Sequence, residues 1–178
     1  MNLPKKLLGP AIALVLSFFL PKASHAQIGV YGELSATHIK NPNNGVSTSA
    51  NLGDNNYWTT GGTVGVYDDF FHLGPLSLGP DLRFSGASGA KFGLGGARLA
   101  FHPPIFPIKP YVEALVGGIS ASNLTNTKSS TLTYEVLGGI DYTLIPHVDF
   151  RAIEIGGGQL SDASRSMLTV STGLVVRF

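Results

Sequence analysis

The chain has 178 residues, with 12 Lys and Arg against 11 Asp and Glu, 23 Gly and no Cys. The near-neutral balance excludes a basic surface built for nucleic acid, and the lack of Cys excludes an exported fold stapled by disulfides. Only 13% of residues are charged and mean hydropathy is positive, yet no run is long enough to cross a membrane as a helix. Strands that show apolar side chains to lipid account for both.

The N-terminus reads as a cleavable export signal over residues 1–26. Lys5 and Lys6 form a basic start, Ala11 to Leu20 an apolar core between Pro10 and Pro21, and Ser24-His25-Ala26 a small-x-small cleavage pattern ahead of Gln27. The apolar run is about half the ~20 residues a spanning helix needs. Its removal leaves 152 residues, 27–178, as one domain with 9 basic and 11 acidic side chains.

That domain divides into eight runs of period-2 alternation, at 28–38, 58–68, 76–84, 91–101, 110–120, 132–144, 149–158 and 168–178. Most approach the ~9–11 residues of a tilted membrane strand. In the third, Leu76, Leu78, Leu82 and Phe84 oppose Ser77, Gly79, Asp81 and Arg83, and Pro80 on the outer face predicts a bulge or distortion. In the fourth, Arg98 shares parity with Phe92 and Leu94. In the seventh, Arg151 and Glu154 cannot both point inward from an unbroken strand. A bulge is expected in each of these two. In the sixth, Tyr134, Val136, Gly138, Ile140 and Tyr142 alternate against Glu135, Leu137, Gly139 and Asp141. The eighth sets Leu168, Val170, Thr172, Leu174, Val176 and Phe178 against Thr169, Ser171, Gly173, Val175 and Arg177.

The connections alternate in character. Those at 69–75, 102–109 and 145–148 are short and hold Pro or Gly with aromatics, whereas 41–57, 86–90, 122–131 and 159–165 are polar. An even number of strands then puts both termini with three tight turns on one side and four loops on the other, the layout of an outer-membrane barrel. Gly pairs at 61–62, 95–96, 117–118, 138–139 and 156–157 are expected to make room for interior side chains in a narrow, curved sheet. Tyr67, Phe70, Phe71, Phe101, Phe106, Tyr111, Tyr142, Phe150 and Phe178 cluster at the turn ends, and Tyr57, Trp58, Phe84, Phe92 and Tyr134 at the loop ends. Two such belts are expected at the two membrane interfaces. The fold class is therefore all-β: an eight-stranded antiparallel up-and-down transmembrane β-barrel.

The signal, the eight runs and the closing Leu174-Val175-Val176-Arg177-Phe178 together resemble the OmpA/OmpX-like family of small outer-membrane β-barrels of Gram-negative cells, over essentially all of 27–178. Lys109-Pro110-Tyr111-Val112-Glu113-Ala114 and Gly138-Gly139-Ile140-Asp141-Tyr142 are similar to strand ends common in such barrels. The alternation of Leu174, Val176 and Phe178 resembles the signal read by the barrel-assembly machinery. No residue follows Phe178, so the peptidoglycan-binding domain of longer members, and cell-wall anchoring with it, is not carried over. The resemblance implies an interior filled by polar side chains, and Glu33, Asp81, Arg83, Glu113, Glu135, Asp141, Arg151 and Arg177 are the inward candidates. Pairing among them would satisfy charges withdrawn from water.

The function expected is that of a structural or surface-interaction barrel with a plugged lumen, its partners the outer-membrane lipid, the assembly machinery and an unidentified extracellular ligand at 41–57. A narrow solute or ion channel is the alternative, and a lipid-modifying enzyme the second. Enzyme signatures are sparse: there is no Gly-x-Ser-x-Gly elbow, no His-Glu-x-x-His helix and no complete phosphate loop. The His-x-Ser pair of lipid A deacylases fails, since His38, His72, His102 and His147 are followed two places on by Lys40, Gly74, Pro104 and Asp149. No catalytic, cofactor or metal residue is assigned. A soluble lipocalin-like barrel would need its apolar residues inside and lacks a Gly-x-Trp motif here.

Overall fold

A computed structural model describes residues 27–40, 56–87, 90–121, 131–161 and 165–178. The expected signal 1–26 and most of the expected loops 41–57 and 122–131 lie outside the described residues. The strands are β1 (Gln27–Lys40), β2 (Asn56–Asp69), β3 (Phe71–Leu73), β4 (Leu76–Ala87), β5 (Ala90–Phe101), β6 (Ile108–Ala121), β7 (Thr131–Ile145), β8 (Val148–Leu160) and β9 (Arg165–Arg177). β2 and β3 are two pieces of one stave, so nine strands build eight staves, each antiparallel to its neighbours. Pairing of β1 with β9, from Gly29↔Arg177 to Lys40↔Ser166, closes the sheet on itself. Closure is what a membrane demands, because hydrocarbon supplies no partner for an open row of N–H and C=O groups. Apart from β3 the strands run 12 to 15 residues, more than the ~9–11 that the hydrocarbon layer needs, so their ends project past it.

The outward positions are apolar. Leu34 is 74% exposed, and Val64 and Val136 are each 60% exposed. A continuous belt of this kind faces lipid rather than water. Among the described residues no helix is long and apolar enough to cross a membrane; the crossing is made by strands.

The two expected bulges fare differently. β5 runs in unbroken register with both neighbours. Phe92 and Leu94 point inward beside Arg98 and are buried, so the bulge expected there is absent and the parity conflict disappears. It arose from assuming that an inward apolar residue is misplaced. β8 does carry a bulge: its register with β9 shifts between Arg151 and Glu154, and Ala152 and Ile153 both face outward. The extra outward residue returns Glu154 to the inside, three positions after Arg151. The Thr172 hydroxyl on β9 donates to the carbonyl oxygens of Arg151 and Ala152 at 3.0 and 3.3 Å, satisfying acceptors the bulge would leave facing lipid.

Pro80 also marks an irregularity. β4 pairs without interruption to β5 through Pro80↔Ala97. On the other side Asp68, Asp69 and Phe70 stand opposite only Gly79 and Pro80, between Tyr67↔Asp81 and Phe71↔Leu78. The extra residue lies where Pro80 has no N–H to give. Two tight turns need a positive φ: Gly74 at 61° and His147 at 71°. Gly takes it freely because it has no Cβ, and His enters this region more readily than a β-branched residue.

The aromatic belts are partly as expected. Phe70, Phe71, Phe101, Phe106, Tyr142, Phe150 and Phe178 face outward near the turns, and Trp58, Phe84 and Tyr134 face outward toward the loops. On the loop side His38 stacks on Trp58 with ring centroids 4.9 Å apart. Tyr67, Tyr111 and Phe92 are corrections, for all three point into the lumen and are buried. The side chain of Tyr57 lies outside the described residues. Replacing Thr172 by Val should destabilise the barrel by about 1–3 kcal/mol, the cost of stranding a buried acceptor, as measured by urea unfolding in lipid vesicles. An unchanged midpoint would deny the hydroxyl this role.

Candidate functional site

Inward parity on seven strands brings the polar side chains to one level of the lumen, where three arginines and three acids close a ring. Arg98 Nη1 donates to Glu113 Oε1 at 2.7 Å and its Nη2 to Asp141 Oδ2 at 3.0 Å. Arg151 Nε donates to Asp141 Oδ1 at 2.9 Å, and its Nη1 to Glu154 Oε2 at 3.2 Å. Arg83 Nη1 donates to Glu154 Oε1 at 2.8 Å, and its Nη2 reaches Glu113, completing the circuit. Two further acids join from outside the ring: Glu33 accepts from Arg151 Nη1 at 2.5 Å, and Asp81 lies 3.5 Å from Arg83 Nε.

Three tyrosines fill the space between the guanidinium planes. The Arg98 guanidinium carbon lies 4.1 Å from the centre of the Tyr67 ring and 3.8 Å from that of Tyr111. Arg151 lies 4.6 Å from Tyr111 and 4.4 Å from Tyr31, and Arg83 follows at 5.5 Å from Tyr31. Rings and guanidiniums thus alternate from Tyr67 through Arg98, Tyr111 and Arg151 to Tyr31, and the series bends back so that the Tyr31 and Tyr67 ring centroids lie 6.3 Å apart. Its hydroxyls are used as well: Tyr31 donates to Asp81 at 2.9 Å and Tyr111 to Glu154 at 2.7 Å. Each tyrosine lies over the glycine directly opposite it on the next strand, Tyr31 over Gly65, Tyr67 over Gly29 and Tyr111 over Gly139. A Cβ at Gly29 or Gly65 would stand 2.3 Å from the ring, and at Gly139 2.4 Å. This is the steric role expected of Gly139; Gly29 and Gly65 lie outside the anticipated pairs.

Of the expected inward residues, Glu33, Asp81, Arg83, Glu113, Asp141 and Arg151 belong to this cluster, and all are buried. Arg177 does not reach it. It pairs at the turn end with Asp149, Nη2 to Oδ1 at 3.0 Å, and Asp149 is shared with Lys109 at 3.2 Å. Glu135 lies buried toward the loops and, among the described residues, forms no salt bridge with an arginine. Sequence reading missed Arg98 and Glu154, both ring members, and the three tyrosines. Strict parity would have found Arg98 and Tyr111; Glu154 needed the bulge.

The lumen is not polar throughout, as the family resemblance implied. Toward the loops Phe92, Ile119, Leu160 and Met167 form one buried apolar cluster, and Leu94, Leu115 and Leu137 another. An interior closed to bulk water can be filled by either kind of side chain, provided the polar ones are paired.

At the turn end Ser77 Oγ lies 3.4 Å from His102 Nδ1, and Asp69 Oδ2 lies 3.7 Å from Nε2. Ser77 is only 1% exposed, so this trio offers no accessible nucleophile. Burial, with Lys109, Arg98, Arg177 and His72 around it, pushes the His102 imidazole down from 6.5 to about 4. The stability its neutral form contributes is complete above pH 6.5 and is lost as pH falls toward 4. Among the described residues no group of three or more His, Asp or Glu is placed to hold a metal ion.

An eight-stave antiparallel barrel with an apolar exterior and a charged, side-chain-filled interior is a transmembrane β-barrel of the outer-membrane type. No family model matches this sequence, and no curated protein matches it. Among solved structures the chain is similar to Neisserial surface protein A, with a TM-score of 0.55 and 18% identity over 87% of this chain and 100% of that one. It is equally similar to Ail, the attachment invasion locus protein of Yersinia pestis, with a TM-score of 0.55 and 11% identity over 87% of this chain and 100% of that one. At these identities the likeness is one of fold.

Replacing Arg98 by Met would leave Glu113 and Asp141 each short of a buried partner. The expected loss is on the order of 3–5 kcal/mol, read as a lower denaturant midpoint and a lower temperature for the heat-induced gel-mobility shift. Lys40→Met on the exposed rim should change neither.

Proposed function

We propose that this protein is a non-catalytic barrel of the Gram-negative outer membrane whose lumen is sealed, and that it acts structurally or through its loops at the cell surface. The observation that carries the sealed lumen is the closed Arg98–Glu113–Arg83–Glu154–Arg151–Asp141 circuit with tyrosines on the guanidinium faces. Breaking it to admit a hydrated ion would strand charges in a medium that solvates them poorly. In this reading residues 1–26 are removed on export, the tight turns face the periplasm, and 41–57 is the surface open to an extracellular ligand. Purified protein in a planar lipid bilayer should show no discrete current steps. Steady, resolved openings would overturn the seal and favour a narrow channel.

The same reading makes the last strand the assembly signal. Leu174, Val176 and Phe178 face outward, with Phe178 73% exposed, and the Phe178 N–H donates to the Ile28 carbonyl at 2.9 Å across the closing seam. An outward apolar stripe beside that seam is what an assembly machinery could grip before closure. Phe178→Asp should be exported normally but give little heat-modifiable barrel in the outer membrane. Wild-type levels there would remove the residue from this role.

A further inference from the structure

Between the arginine ring and the apolar cap the lumen holds a cavity of about 20 Å³, room for about one small ion or water. Its walls differ in chemistry. On the β9–β1–β2–β4 side the inward residues are small and hydroxylated, and they form a continuous chain. Ser171 Oγ lies 3.1 Å from Ser35 Oγ, Ser35 lies 2.8 Å from Thr63, and Thr63 lies 2.8 Å from Ser85. Glu135 reaches in from β7 and lines the same cavity. Its residue is 4% exposed, and one carboxylate oxygen, Oε1, is buried with no hydrogen-bond partner among the described residues; the carboxylate also meets the Thr169 hydroxyl.

A buried carboxylate oxygen without a donor is costly, and Glu135 lines a space whose other walls are hydroxyls, the Arg83 guanidinium and the apolar Phe92, Leu94 and Met167. The surrounding charge has a definite sign. Arg83 also lines the cavity, with its guanidinium engaged by Asp81, Glu113 and Glu154. The adjacent layer as a whole sets Glu33, Asp81, Glu113, Asp141 and Glu154 against three arginines, an excess of acids that, with the Glu135 carboxylate, favours a cation over an anion. One carboxylate with neutral hydroxyls is too little charge for a dehydrated divalent ion, while oxygen ligands suit a hard ion. We propose that this cavity is a binding site for a small monovalent cation such as sodium or potassium, held by Glu135 and the hydroxyls of Ser35, Thr63, Ser85, Thr169 and Ser171. The ion supplies the partner that Glu135 lacks. The site depends on the cavity and not on whether the barrel conducts.

Because the ion binds only the folded barrel, it should stabilise it by mass action. Thermal unfolding of the full protein in detergent micelles is compared in sodium or potassium chloride and in N-methylglucamine chloride at equal ionic strength. The midpoint should be higher with the small cation and should keep rising with its concentration until the site saturates. Glu135→Gln, which keeps the shape and removes the charge, should lose that salt-specific difference, and Thr63→Val should need more salt for the same shift. Equal midpoints in the two salts for the wild type, or a difference that survives in Glu135→Gln, would overturn the site. Crystals of the wild type soaked in rubidium chloride give a check that needs no variant. An anomalous peak beside Glu135 is expected, and peaks confined to the protein surface would sink the proposal.

Discussion

The planar guanidinium group is the unit on which the interior depends. Its edge donates hydrogen bonds to carboxylates and its two faces accept aromatic rings, so a single arginine can satisfy neighbours in every direction. Arg98 and Arg151 do both, each linking acids along its edges while Tyr111 lies between them. The charges are withdrawn from water inside a narrow tube, and their mutual pairing offsets that cost, with Arg98 Nε and Glu33 Oε2 left without a hydrogen-bond partner among the described residues. Members of the cluster come from β1, β2, β4, β5, β6, β7 and β8, so the ring braces the barrel across its diameter as well as filling it.

Other features of the backbone serve this arrangement. The bulge at Ala152 and Ile153 puts Arg151 and Glu154 on the same side of β8, and without it the circuit would open at Glu154. Glycines opposite the three tyrosines let the rings lie flat against the wall instead of standing across the lumen. Thr172 then satisfies the carbonyls that the bulge turns toward lipid. A local irregularity, a missing side chain and an outward hydroxyl are thus consequences of one requirement, the pairing of buried charge.

The two solvents of the barrel sort the remaining residues. Among the described side chains the exposed Lys, Arg, Asp and Glu are Lys40 and Lys91, both close to the loop ends, where a long stem can carry its ammonium out to the headgroups. Inside, the loop-side half is divided between a hydroxyl wall on β9, β1, β2 and β4 and an apolar wall on β5 to β8 that Met167 of β9 joins. The apolar wall lies on the loop side of the ring. The hydroxyl wall leaves the small space in which Glu135 stands.

All eight staves and their alternation were legible in the sequence, because lipid on one side and a narrow lumen on the other impose a period of two on every strand. The same rule located six of the eight expected inward residues in the charged cluster and foretold a bulge in β8. It failed where parity was overruled by a belief about chemistry. Phe92, Leu94, Tyr67 and Tyr111 obey the alternation but were assigned by their apolar character to the outside or to a belt, so Arg98 looked misplaced beside them. What the sequence by itself determined is which face each side chain takes. Which inward side chains meet was decided by the tertiary structure, since Arg83 and Glu154, or Glu33 and Arg151, come together only when closure brings distant strands across a narrow tube.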